Sequence, residues 1–136
     1  MTAEELKDFR KLAYTIRYWE EQLKEEKKKS YLKSPQLTGL PSAGGLKDPT
    51  ADRALAEEKI TSKIERLVQQ QKQEAERVMD WIQSIEDPMI QVIMHARYIK
   101  NMSWTAVAHR IGGGNSAENI RQVHWRYLSH LSQIKD

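Results

Sequence analysis

The sequence predicts an all-α protein: a long helical hairpin or coiled-coil stem over residues 1–86, then a compact helix-turn-helix domain over 87–136. Three observations predict this. Apolar residues recur at helical spacing through most of the 136 residues. Turn-forming Gly and Pro gather in two places, residues 30–49 and the triplet at 112–114. Two Asp-Pro pairs, Asp48-Pro49 and Asp87-Pro88, each read as an N-cap followed by proline at the first helical position.

The first helix is expected from about Glu4 to Lys29, a stretch without Gly or Pro. Leu6, Phe9, Ala13, Ile16 and Leu23 form one amphipathic stripe, with Leu12 and Trp19 beside it. Its end, KEEKKKS, places cations where the helix dipole favours them. Residues 30–49, SYLKSPQLTGLPSAGGLKDP, read as a loop by turn chemistry. It is long for a connection. A second helix should run from Pro49 to about Ile85, with Ile60, Ile64, Leu67, Gln71, Ala75, Val78, Ile82 and Ile85 as its stripe. That near-heptad spacing asks for a partner helix. The partner is either the first helix folded back antiparallel or the same helix of a second subunit, which would make a homodimer through the stem. Gln71, polar on the seam, suits a role in fixing register or oligomeric state.

A third helix is expected from Pro88 to about Lys100, with Asn101 accepting a left-handed stop. Ser103 can cap a short fourth helix, Trp104 to Ile111, and a last helix follows GGGNS and runs to about Leu131. Asn115 with Glu118 resembles a capping box, and Ser116 is the alternative cap.

Composition narrows the function classes. The chain is 39% hydrophobic and 30% charged, as long solvent-washed helices require. It has no cysteine, so neither a disulfide nor a thiolate metal site is expected. The start MTAEELKDF is unlike a signal peptide. No apolar run reaches the roughly 20 residues needed to span a bilayer. A cytoplasmic protein is expected, with no membrane partner. The net charge of +3 is uneven: residues 88–136 carry six Lys/Arg against two acids, and residues 1–87 carry 16 against 17. All four histidines lie in the basic end, and no two of them are four apart, so no helical metal site is expected. Gly112-Gly113-Gly114 has neither the Gly-Lys-Ser/Thr nor the preceding strand of a phosphate loop. No catalytic constellation and no cofactor site stands out, and a non-enzyme is expected.

A helix-turn-helix needs a small residue where its helices cross and often glycine in the turn. Val107, Ala108, Ile111, Gly112, Ile120 and Val123 supply that pattern, with a turn two residues longer than usual. At about 100° per residue, the last helix puts Ile120, Val123, His124, Tyr127, Leu128 and Leu131 on one side. Glu118, Asn119, Gln122, Arg126 and Ser129 lie opposite, with Arg121 and Trp125 on the flank. The exposed side offers the side chains that read the major groove. Asn119, Gln122 and Glu118 are the candidates for base contact. Arg121 and Arg126 suit bases or phosphate, and Ser116 and Trp125 adjoin them. Lys100 and Arg110 are candidates for phosphate alone. The expected partner is double-stranded DNA.

The run IEDPMIQVIMHARYIKNMSWTAVAHRIGGGNSAENIRQVHWRYLSHL resembles the DNA-binding C-terminal domain of bacterial sigma factors. It is more similar still to the sigma-like regulators of phages and prophages of Gram-positive bacteria, including the ArpU-like late transcription regulators. Arg97-Tyr98, Ser103-Trp104, Val107-Ala108 and Arg126-Tyr127-Leu128 carry the likeness, and GGGNSA departs from the sigma pattern. The likeness is strong over 87–131 and looser before, where a helical stem and a loop like SPQLTGLPSAGGLKDPT also occur in the phage group. It implies sequence-specific transcriptional control of phage or prophage genes in a bacterial cytoplasm, without promoter melting. Two other functions compete: a DNA-packaging adaptor like a small terminase subunit, and an adaptor that binds RNA polymerase through the stem.

Overall fold

A computed structural model describes residues 1–32 and 49–134. Among them are five α-helices and no strand: α1 (Ala3–Leu32), α2 (Pro49–Gln83), α3 (Pro88–Met94), α4 (Trp104–Ile111) and α5 (Ala117–Ile134). A single π-helical turn, His95–Ile99, continues α3. The protein is all-α. The loop expected over residues 30–49 is narrowed at its start, because α1 continues for one more turn, through Leu32, before the first proline; residues 33–48, and with them the Asp48 cap, lie outside the described residues. Among those described, no helix is long and apolar enough to cross a membrane.

The chain divides into two compact units, Tyr14–Gln69 and the combination of Met1–Ala13 with Gln70–Asp136. In the first of these, Ile16 is buried. Lys63 Nζ stands 4.4 Å from the centre of the Trp19 ring, and Arg53 Nη1 donates to the Lys29 carbonyl at 3.4 Å. Partners descend α2 as they ascend α1, which is antiparallel pairing. The first helix, one of the two partners that the spacing of α2 allows, thus pairs with α2 within this unit.

The second unit begins with a capping box. The Glu5 amide donates to Thr2 Oγ1 at 3.1 Å, and the Thr2 amide donates to Glu5 Oε2 at 2.9 Å. Arg77 Nη2 meets Glu5 Oε1 at 2.7 Å. The Thr2 amide and the Arg77 guanidinium hold the Glu5 carboxyl below its ordinary pKa. Leu6 and Phe9 are buried in one cluster with Val78, Ile82, Ile85, Met94, Tyr98 and Leu128. A second cluster joins Ile93, Ala96, Val107, Ala108 and Ile120.

The boundary expected between residues 86 and 87 is therefore not where the compact units divide. Both long helices contribute to the unit that contains α3, α4 and α5. The reason is burial: α3, the π-helical turn and α5 offer Met94, Tyr98 and Leu128, and side chains of α1 and α2 cover them. Gln71 is half-buried and lines a small cavity of about 210 Å³ with Phe9, Ala75, Tyr98, Ile99 and Asn101. Its surroundings thus extend beyond a two-helix seam.

α3 starts as its sequence requires. Asp87 Oδ1 accepts from the amides of Met89 and Ile90 at 2.9 and 3.3 Å, with Pro88 in the first turn. The end departs from a plain helix to Lys100. The Lys100 amide bonds five residues back, to the His95 carbonyl at 3.1 Å, which widens the last turn. Asn101 then takes a left-handed φ of 55°. Within the widened turn, the Arg97 carbonyl accepts from Arg10 Nη1 of α1 at 3.2 Å.

Candidate nucleic-acid interface

α4 and α5 are set by local chemistry. Ser103 Oγ caps α4 by accepting from the Ala106 amide at 3.2 Å. Arg97 Nη1 donates to the Met102 carbonyl at 2.9 Å, and its guanidinium lies 4.2 Å from the centre of the Trp104 ring. The end of the π-helical turn is thereby tied to the start of α4. Small Ala96 and Ala108 are both buried in the cluster that α5 enters through Ile120, which is 0% exposed. Small side chains allow the close approach that a short turn demands.

The turn is built from three consecutive residues of positive φ: Gly112 at 71°, Gly113 at 67° and Gly114 at 78°. Gly112 combines its φ with a ψ of −152°, a region open almost only to glycine. A Cβ there would meet nothing within 4 Å, so the constraint comes from the backbone alone. Gly112→Ala is expected to lower stability by about 1–3 kcal/mol. Urea denaturation checks this, and an unchanged midpoint would show that the turn has another path.

The cap of α5 is Ser116. Its Oγ accepts from the Asn119 amide at 3.1 Å. The alternative pairing of Asn115 with Glu118 does not form. Asn115 faces the turn, donating through Nδ2 to the Gly112 carbonyl at 2.9 Å. Its Oδ1 accepts from Asn119 Nδ2, also at 2.9 Å. Three glycines free the chain to bring Asn115 back over the end of α4, so the cap falls one residue later.

Beyond the cap, α5 divides by face as its spacing predicts. Ile120, His124 and Leu128 are buried, and Val123, Tyr127 and Leu131 are half-buried. Ser116, Glu118, Asn119, Arg121, Gln122, Trp125 and Arg126 are all exposed. Glu118 links two of its neighbours, with Gln122 Nε2 at 3.5 Å and Arg121 Nε at 3.9 Å. The structure thus brings seven candidates together on one helix and its cap. It places the other two elsewhere. Lys100 and Arg110 share a groove of about 480 Å³ formed by residues of α2, α3 and α4 and the segment between them, without α5.

His124 seats α5. It is 0% exposed, and its Nε2 lies 2.6 Å from the Tyr98 hydroxyl. Trp104 and Trp125 meet its ring edge-on, with centroids at 4.7 and 4.8 Å. Burial, helped by the positive charge of Arg97, pushes its pKa down to about 4, so the ring is neutral near pH 7. Burial raises the Tyr98 phenol to about 12. The spacing puts His124 on the core side but does not reveal this pair, because nothing local points to a tyrosine 26 positions earlier.

One further residue is not legible in the sequence. Lys7 of α1 places its ammonium 5.3 Å from the centre of the Trp125 ring. In the sequence it is one lysine among alternating charges, with no signal to separate it from the rest. Among the described residues, no three His, Cys, Asp or Glu side chains gather as they would around a metal ion. Comparison with protein-family models, curated proteins and solved structures yields no match.

Proposed function

We propose that this protein is a sequence-specific transcription regulator that reads duplex DNA with the exposed face of α5. The single observation that carries the reading is the division of that helix. Ser116, Glu118, Asn119, Arg121, Gln122, Trp125 and Arg126 face solvent while Ile120, His124 and Leu128 hold the opposite side in the core. Arg pairs with guanine, Asn and Gln with adenine, and Glu with cytosine, so these side chains suit the major groove. A short preceding helix, a glycine turn and a capped N-terminus fit the geometry in which the start of a recognition helix reaches base edges. The positive balance of residues 88–136 adds attraction to a polyanion. The phage or prophage assignment and the bacterial cytoplasm rest on the sigma-like resemblance of residues 87–131.

Fluorescence anisotropy on labelled duplexes from the DNA flanking the gene, each beside a shuffled control, tests the reading. A regulator is expected to prefer one segment by about 1,000-fold or more. Weak, steeply salt-dependent binding to every duplex would turn the assignment towards a packaging adaptor or a polymerase adaptor. Arg121→Ala and Arg126→Ala are each expected to weaken the specific complex. An arginine that bonds a base edge contributes about 1–3 kcal/mol, and removing it relaxes specificity at one position. Removing an arginine that bonds phosphate weakens binding to all sequences alike. Circular dichroism should show unchanged helicity, since both side chains are exposed. Unchanged affinity in both variants would remove the α5 face from the interface.

A further inference from the structure

We propose that the start of α1 belongs to the same DNA-facing surface, with Lys7 as a phosphate contact beside α5. This rests on the reading of α5 as the recognition helix. The link is the cation–π contact, in which the Lys7 ammonium lies 5.3 Å from the centre of the Trp125 ring. Trp125 is on the exposed flank of α5, next to Arg126. The ring both attracts the ammonium and limits where it can go.

The backbone around Lys7 is anchored in the core that also holds α5. Leu6 and Phe9, on either side of it, are buried in the same cluster as Leu128. The Thr2–Glu5 capping box secures the helix start just before it. Lys7 thus projects from a capped helix start whose neighbouring residues pack into the core that also seats α5.

The charges around it leave it available. Glu4 Oε1 approaches at 4.0 Å, and both side chains remain largely exposed, so this is a weak pair that an anion can displace. Glu5 is turned away, engaged by Thr2 and by Arg77 at 2.7 Å. Lys11, one turn on, pairs with Asp8 at 3.8 Å. A helix lying in the major groove has a phosphate strand along each wall, and a lysine ammonium meets phosphate as a point charge. Lys7 therefore adds affinity and register without reading bases.

The test is the salt dependence of anisotropy for full-length wild type, Lys7→Gln, and Lys24→Gln as a control of equal charge change in the other unit. Probes are a labelled duplex from the DNA flanking the gene and its shuffled control. Lys7→Gln is expected to make the log–log salt slope shallower by about 0.9 on both duplexes, leaving the ratio of their affinities unchanged. Lys24→Gln should leave the slope where it was. A Lys7→Gln slope equal to wild type, or an equal change from Lys24→Gln, overturns the proposal while the α5 reading stands. A wild type that binds neither duplex overturns both.

Discussion

A chain cut to residues 87–136 is expected to lose its cooperative unfolding transition. The fragment keeps α3, the π-helical turn, α4 and α5, everything assigned to the helix-turn-helix by sequence. It does not keep the core that supports them. Of the eight buried residues in the larger cluster, Leu6, Phe9, Val78, Ile82 and Ile85 are removed, and Met94, Tyr98 and Leu128 remain with their apolar surface uncovered. Burying each such side chain contributes about 1.5–3 kcal/mol. Five of them together amount to roughly 10 kcal/mol, as large as the whole stability of an ordinary domain. The Arg10 guanidinium on the Arg97 carbonyl goes as well. Thermal melts followed by circular dichroism, fragment against full chain, make the comparison. A broad, non-cooperative loss of signal is expected from the fragment. A sharp transition near that of the full chain would mean that the smaller cluster around Ile93, Val107 and Ile120 suffices, and that the boundary at residue 87 is real.

The same boundary shows what is legible in the sequence. Signals that act within a few residues are readable: Asp87 capping α3, Ser103 capping α4, Asn101 in the left-handed conformation, and glycine throughout the 112–114 turn. So is the division of α5, because a period of 3.6 assigns faces without knowing what lies opposite them. What lies opposite is not readable. Leu6 and Leu23 occupy the same stripe of the same helix, yet Leu6 is fully buried against α2, α3 and α5 residues, while Leu23 is half-buried in the other unit. Their place in the pattern is the same and their partners are distant in sequence. Lys7 is hidden for the same reason, and so is the meeting of Lys100 and Arg110 across a groove. Asn115 and Ser116 are both acceptable caps by type. The path of three positive-φ glycines chooses between them, and residue preference carries no information about that path. The Thr2–Glu5 capping box is the reverse case: its T-x-x-E signal stands in the first five residues and lies beneath an acidic, otherwise featureless start.

Lowering the pH from about 7 to about 5 is expected to cost the native state about 2 kcal/mol through His124 alone. The folded pKa is about 4, against an ordinary 6.5. Above pH 6.5 the ring is neutral in both states, and its contribution to stability is fully present. As pH falls below 6.5 the unfolded chain takes up a proton that the native state refuses, so stability declines until the pH nears 4. The full loss is about 3 kcal/mol. The physical cause is plain in the site. An imidazolium needs an acceptor for each N–H, and His124 Nδ1 has none among the described residues, while Nε2 faces the Tyr98 hydroxyl. Glu5 adds its own acid sensitivity, but its carboxyl is held below the ordinary 4.5, so its share is lost only at lower pH. The interval between pH 6.5 and 5 therefore isolates the histidine. Urea denaturation across it, comparing wild type with the Tyr98→Phe/His124→Leu double variant, is the measurement. Removing both partners leaves no buried polar group of the pair unsatisfied, so the double variant should fold and show a stability nearly flat over that interval. Parallel curves for the two proteins would mean that His124 reaches water on protonation and that its burial is not what fixes α5. If the curves diverge, the helix whose outer face carries Asn119, Gln122 and Arg126 is seated by a neutral histidine, and acid loosens that seat from behind.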